Sequence, residues 1–305
     1  MAERAPRTEA VAKKPLLARI KAWIGGGKAT KALPAAPRAQ EKPAEEPVYA
    51  PLSRTTVAQW LWGDGFLSPG DAAYVIDMVK PIGLTSAASV LDLSAGIGGA
   101  ARVITQTFGA YVTGLERSPE RAKLGQQMSV AANLAKRATI TQYNPESVEL
   151  RPNSFDCVIG RGATYNVVDK ERLLRVVHQA LKQRGHLLFN EFMLDPEVGE
   201  RPEMAAWVAR ESYPPTLWTL RQYTDCLKSL GFDIRITTDL TGTYRAMIVT
   251  GWARMLEEVD LKAMPKPHRL VIIEEAELWM RRIAALQNGG LRVFRVYALL
   301  NKPSV

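Results

Sequence analysis

The sequence predicts an α/β fold, a largely parallel sheet with helices on both faces. Three observations predict it. The stretch Val90-Leu-Asp-Leu-Ser-Ala-Gly-Ile-Gly-Gly99 reads as a buried strand running through a glycine-rich turn into a helix that starts near Gly99 to Ala101. About 20 residues on, a second apolar run, Ala110-Tyr-Val-Thr-Gly-Leu115, ends in an acidic residue, Glu116. From Pro51 onward, strand-like and helix-like segments alternate, as βαβ units require.

The elements follow in order. Residues 70–83 form a helix leading to the first strand, 89–93. After the second strand, 119–135 is a helix with Ser118 as N-cap and Pro119 at its first position. Residues 139–143 are a third strand, and 155–159 a fourth, apolar enough to be buried on both faces. A helix over 170–182 precedes Gly185, which introduces a fifth strand at 186–192. Beyond Asp195 the chain is polar and Pro-containing, and no element is assigned there. A helix over 219–230 stops at Gly231, and 232–237 is a sixth strand. Residues 241–288 read as helices, and 291–300 as a last strand with Arg292, Arg295 and Tyr297 interleaved among apolar residues. Helices inserted between the last two strands belong over the carboxyl edge of the sheet, as a lid or substrate pocket.

Composition sets bounds. The chain has 305 residues, 47% of them hydrophobic, enough for a sizeable core. No run of 18 apolar residues is present to span a membrane. Cys157 and Cys226 lack metal spacing and read as inert thiols in a reducing compartment. His178, His186 and His268 are too few and scattered for a metal cluster, so no metal is expected. The net charge is +9, of which +5 falls within residues 1–47, an Ala-, Pro- and Lys-rich tail expected to be mostly disordered. Residues 48–305 are expected to form one domain, with 241–288 as its insertion. Within the tail, Leu16, Leu17, Ile20, Trp23 and Ile24 share one helical face, with Arg19 and Lys21 off it. A short basic amphipathic helix over 15–24 can lie on an anionic membrane surface; the plainer reading is a nascent helix in a solvated tail. With no signal-peptide pattern, a cytoplasmic protein is expected, peripheral at the inner membrane face if that helix binds. The rest of the chain is only mildly basic, without the interleaved cations and aromatics of single-strand binders, so no nucleic-acid partner is expected.

The turn and the acidic strand end point to a nucleoside-containing cofactor. Glycines let the backbone approach a ligand, and an acidic residue ending the second strand can accept from ribose hydroxyls. A dinucleotide site is disfavoured: Arg102 occupies the slot of a third glycine, and Asp92 would oppose a pyrophosphate. A cofactor carrying an amine and a sulfonium would welcome that carboxylate.

These residues carry a resemblance. Asp92-Leu-Ser-Ala-Gly-Ile-Gly-Gly99, Glu116, Asn144 after the third strand and Phe155-Asp-Cys-Val-Ile-Gly-Arg161 resemble the successive motifs of class I S-adenosylmethionine-dependent methyltransferases, over roughly residues 58–195. Within that superfamily, Trp62-Gly-Asp-Gly-Phe-Leu-Ser-Pro-Gly70 and Arg161-Gly-Ala-Thr-Tyr-Asn-Val-Val-Asp-Lys170 resemble stretches of the phosphoethanolamine and sarcosine/dimethylglycine N-methyltransferases. The resemblance implies a Rossmann-like seven-stranded methyltransferase sheet, with S-adenosylmethionine as cofactor. It implies that Asp92, Gly96 and Gly98 surround the methionine end, Glu116 holds the ribose, Arg117 lies against the adenine, Asn144 faces the adenine amine, and Arg161 lines the other side. Ser94 replaces the first glycine of the turn. Gly162 and Asn166 stand where the phosphoethanolamine enzymes have Asp and His.

The expected reaction is methyl transfer, N- rather than O- or C-, to a small amine, phosphobase or lipid headgroup. Such a displacement needs positioning, exclusion of water and a neutral amine. Candidates for orienting or deprotonating the acceptor are Tyr49, Tyr165, Asn166 and Glu191. Trp60, Trp62, Trp218, Tyr244 and Trp252 are aromatics available to a methylated-amine cage, or to ordinary packing. The alternative is a catalytically silent cofactor-binding protein that recruits a partner or a membrane.

Overall fold

The computed structural model describes residues 51–198, 201–288 and 290–301. Contacts divide the chain into Met1–Pro51 and Leu52–Val305, and every element below belongs to the second unit. Tyr49 and the 1–47 tail with its 15–24 segment lie outside the described residues.

The unit opens with α1 (Arg54–Trp62), capped by the Ser53 hydroxyl, which accepts from the Thr56 N–H at 3.0 Å. α2 (Ala72–Val79) is capped by Asp71 and ends in a 3-10 turn, Lys80–Ile82, closed by left-handed Gly83. The succession is then β1 (Ser89–Asp92), α3 (Gly99–Phe108), β2 (Tyr111–Glu116), α4 (Pro119–Ala131), β3 (Ala138–Gln142), β4 (Phe155–Arg161), α5 (Lys170–Ala180) and β5 (Leu181–Leu194). α6 (Pro202–Val208), α7 (Leu220–Ser229), β6 (Phe232–Asp239), α8 (Thr241–Glu258), α9 (Lys266–Gln287) and β7 (Leu291–Leu300) complete it.

The seven strands form one sheet in the order β3-β2-β1-β4-β5-β7-β6. β1 to β5 pair in parallel, and β7 runs antiparallel to both β5 and β6. The predicted α/β architecture and the helical insertion before the last strand are therefore present. The order reverses next to β1, so the turn after β1 opens at the carboxyl edge beside a switch point, where open α/β sheets bind ligands.

Three boundaries differ from expectation, one for a local reason and two through strand pairing. α4 stops at Ala131 because Asn133 takes a left-handed φ of 58°. α5 ends at Ala180 because Leu181 is already extended and pairs with Phe155. β5 therefore begins five residues before His186; Arg184 sits at φ 60° and the register with β4 shifts between Phe155 and Cys157. Helices α1 and α6 had no strong sequence signal. α6 lies in the polar, Pro-containing stretch, with Pro202 at its first turn and Trp207 fully buried.

A core on one face of the sheet runs through Leu91, Val158, Leu187, Phe189, Val296 and Leu300, together with Leu174 and Val177 of α5 and Tyr223 and Leu227 of α7. α1, α6, α8 and α9 pack on one another. The Trp62 and Trp279 rings meet edge to face at 4.8 Å, and Arg54 pairs with Glu275 at 2.7 Å. Among the described residues no helix is long and apolar enough to cross a membrane.

Candidate functional site

A cleft of about 290 Å³ opens at the carboxyl edge of the sheet, floored by Leu93, Ser94 and Gly96 and roofed by α1, α8 and α9. Its floor is braced by side chains. The Ser94 Oγ accepts the Arg161 backbone N–H at 2.7 Å and donates to Asp92 Oδ1 at 3.4 Å, tying the turn after β1 to the end of β4. The Ser94 N–H also donates to Asp92 Oδ1, at 3.0 Å. A serine here does what a first glycine cannot: it cross-links two strand ends. Asp92 is 3% exposed, and burial pushes its pKa up, opposed by the Ser94 hydrogen bonds and the charge of Arg161. The Arg161 guanidinium donates to the Gly70 carbonyl at 3.0 Å and lies 5.4 Å from the Phe66 ring centre.

Gly96 lines the cleft, with φ 56°. Gly98 has a different task. A Cβ there would stand 2.9 Å from the Ile140 side chain, so this glycine serves helix-to-sheet packing and is not among the cleft-lining residues. Arg102, in the slot of a third glycine, donates to the Ile97 carbonyl at 2.8 Å and braces the turn from behind.

One end of the cleft is lined by Glu116, Arg117, Arg121, Tyr143 and Pro145. Glu116 Oε1 accepts the Ser118 N–H at 2.8 Å, which fixes the carboxylate at the end of β2. Tyr143 donates to the Leu93 carbonyl at 2.8 Å, locking the floor. The Arg117 guanidinium stacks 3.8 Å over Tyr213 and donates to the Asn166 carbonyl at 3.5 Å. Asn144 does not line the cleft: it is exposed, and its Oδ1 accepts the Glu146 N–H at 3.1 Å in an Asx turn. The neighbouring Pro145 lines the cleft instead.

The other end is aromatic. Tyr165 packs edge-on against Phe192 at 5.1 Å, and Phe192 against Tyr244 at 5.4 Å. Tyr165 donates to Glu211 Oε2 at 3.0 Å. Glu211 Oε1 also accepts from the Trp207 indole and the Arg282 guanidinium. Arg282 is 7% exposed and lies 4.5 Å from the Trp279 ring centre. Burial pushes the Tyr165 hydroxyl well above its usual range and that of Tyr244 up to about 12. Between the two ends, the Asn190 amide donates to the Tyr74 hydroxyl at 2.8 Å.

Of the acid/base candidates, Tyr165, Asn166 and Glu191 line this cleft. Glu191 is already engaged. Its Oε2 accepts the Thr164 N–H at 2.7 Å and hydroxyl at 2.8 Å, and its Oε1 the Phe192 N–H at 3.1 Å. It holds the loop after β4 in place. Of the cage candidates only Tyr244 lines the cleft; Trp62 and Trp252 are buried in helix packing, and Trp218 packs edge-on against Tyr223. Glu211, Tyr213, Glu275 and Arg282 escaped sequence reasoning. Glu211 and Tyr213 follow a stretch without periodicity, and Arg282 reads as one more helical cation. Among the described residues no group of His, Cys, Asp and Glu has metal-site geometry.

The chain is similar to known proteins. A family described as "Methyltransferase domain" matches residues 71–236. Phosphoethanolamine N-methyltransferase 2 of Caenorhabditis elegans is 26% identical over 194 residues, 63% of this chain and 43% of that protein. The glycine/sarcosine/dimethylglycine N-methyltransferase of Actinopolyspora halophila is 29% identical over 116 residues, 38% of this chain and 20% of that protein. The chain thus spans less than half the length of these curated relatives. Among solved structures, phosphoethanolamine N-methyltransferase 2 of Haemonchus contortus, in complex with phosphomonomethylethanolamine and S-adenosylhomocysteine, superposes with a TM-score of 0.72. That match covers 82% of this chain and 59% of that one at 22% identity, a likeness of fold.

Proposed function

The chain belongs to the methyltransferase-domain family, and from that premise we propose that it transfers a methyl group from S-adenosylmethionine to a small amine, phosphobase or lipid-headgroup acceptor. One observation carries the reading. Glu116 ends β2 at a cleft floored by the glycine turn that follows the adjacent strand β1, and Asp92, which ends β1, does not line the cleft but is buried behind Ser94 of that floor, bonded to its N–H and hydroxyl.

The donor set fits that cofactor. A ribose diol needs a fixed anionic acceptor, and Glu116 is held as one by the Ser118 N–H. An ammonium and a sulfonium need negative potential, and Asp92 supplies it from a buried site where screening is weak. The backbone at Gly96 presents no side chain to the cleft. Arg117, stacked on Tyr213, offers a planar wall to an adenine. When bound, S-adenosylmethionine supplies a methyl carbon made electrophilic by its sulfonium leaving group.

The chain's own residues do the rest. The roof helices exclude water from the reacting atoms. Tyr165 and Tyr244 line the cleft with aromatic rings of the kind that attract an alkylated ammonium, while the Phe192 and Trp279 rings already carry the Arg282 guanidinium. Tyr165 and Tyr244 keep their protons at neutral pH, so their oxygens act as hydrogen-bond acceptors and orienters for an acceptor N–H rather than as phenolate bases. The Asn166 side chain can orient an acceptor hydroxyl or amine. Tyr49 remains a candidate by sequence alone.

Calorimetry with S-adenosylhomocysteine tests the cofactor. The parent protein is expected to bind it, and Glu116→Ala to weaken binding by about 1–3 kcal/mol. Equal affinities would remove Glu116 from the ribose site. Transfer of a labelled methyl group to phosphoethanolamine, sarcosine or phosphatidylethanolamine vesicles tests the acceptor class; binding without transfer to any of them would favour the silent reading.

A further inference from the structure

α5 opens on a charge that its position disfavours. Lys170 is its first residue and is 2% exposed, at a helix N-terminus whose dipole repels a cation. Its Nζ donates to the Val167 carbonyl at 2.6 Å, to the Thr216 Oγ1 at 2.6 Å and to the Thr216 carbonyl. The same threonine donates its hydroxyl to the Val167 carbonyl at 2.6 Å and its N–H to the Tyr165 carbonyl at 2.7 Å. One ammonium thus joins two segments that are far apart in sequence.

Both segments reach the cleft, and Lys170 does not line it. The loop after β4 brings Gly162, Tyr165 and Asn166; the segment between α6 and α7 brings Glu211 and Tyr213. The two meet again at the Tyr165–Glu211 hydrogen bond.

We infer that Lys170 is a positioning residue: its Nζ pins residues 209–219 onto the loop after β4 and so fixes Glu211 and Tyr165 at the aromatic end of the cleft. Only the naming of that end as the acceptor side rests on the function proposed above. The groups facing the ammonium are Glu191 on β5, Glu146 in the loop after β3 and the Trp218 ring, centred 5.8 Å away. Burial outweighs the two carboxylates and pulls its pKa down to about 8. The sign follows from linkage. A pinned lysine holds its proton less tightly than a released, hydrated one, so the pinned arrangement gains stability as pH rises through 8 toward the usual lysine range.

Hydrogen exchange on the full chain tests this. In Lys170→Met, amide protection in 162–168 and 211–216 is expected to fall by roughly tenfold or more, while β1 and β4 keep theirs. Thr216→Val, which removes one acceptor, should give a smaller loss in the same segments. In the parent, protection there, corrected for intrinsic exchange, should rise between pH 7 and 9; in Lys170→Met that rise should vanish. Unchanged protection in both variants, a loss spread evenly over β1 and β4, or the same pH slope with and without the lysine would overturn the inference. A parent that fails to bind S-adenosylhomocysteine would instead overturn the functional reading, and the exchange result would stand.

Discussion

At the scale of single residues, Asp92 carries the sharpest consequence. It is buried, its pKa is raised by that burial, and Arg161 and Ser94 only partly offset the cost of its charge. A cationic cofactor beside it favours the ionised form, so binding releases a proton wherever Asp92 is still partly protonated. Affinity for S-adenosylmethionine should therefore increase with pH through the raised pKa, by about tenfold for each unit by which binding lowers that pKa. In Asp92→Asn the increase should disappear. Calorimetry from pH 4.5 to 7.5 reads this; a parent profile as flat as the variant's would separate Asp92 from the cofactor. Residues whose placement depends on the chain immediately around them were legible in sequence. Asp92, Gly96, Glu116 and Ser118 lie within or just beyond strand-turn-helix units. Glu211, Arg282 and Tyr74 were not, because each reaches the cleft through tertiary packing that no local pattern encodes.

At the scale of elements, the approach of 63–66 to the start of α3 depends on missing side chains. The Gly99 N–H donates to the Gly65 carbonyl at 3.0 Å, and a Cβ on Gly99 would stand 2.4 Å from that same oxygen. Backbone cannot yield there as a flexible side chain would. Gly99→Ala should therefore lower stability by about 1–3 kcal/mol, the usual cost of overpacking. It should also loosen the stretch leading to Ser68 and Pro69, which line the cleft. Gly83 has open space around the same added atom and serves as a packing control, although its φ of 70° carries its own strain. Thermal melting of the two alanine variants gives the comparison. A Gly99→Ala protein as stable as its parent would mean that the two segments separate without cost. Strands and capped helices were legible because periodicity and caps are local; Ser118 and Pro119 announce α4 unaided. The early start of β5 was hidden because pairing of Leu181 with Phe155, a tertiary event, decides it.

For the whole molecule, charge is the unevenly distributed quantity. The first 47 residues hold +5 of the +9 total, whereas the described residues that line the cleft lie between Arg54 and Val293. Ligand binding and any surface attraction are thus assigned to separate parts of the chain. Removing residues 1–47 should leave affinity for S-adenosylhomocysteine unchanged, because all the lining residues described are kept. The same deletion should abolish sedimentation with phosphatidylglycerol vesicles at low salt, since five net positive charges and the apolar residues Leu16, Leu17, Ile20, Trp23 and Ile24 go with it. Each cation near such a surface contributes about 1 kcal/mol, and salt screens that attraction. Binding by the intact chain should therefore weaken steeply as salt is added, leaving the apolar contribution. Substituting Trp23 and Ile20 with Ser should remove that remainder while the charge is kept. An intact chain that stays in the supernatant at low salt would rule out the membrane surface as a partner. Sedimentation surviving the deletion would move the contact onto the methyltransferase unit itself.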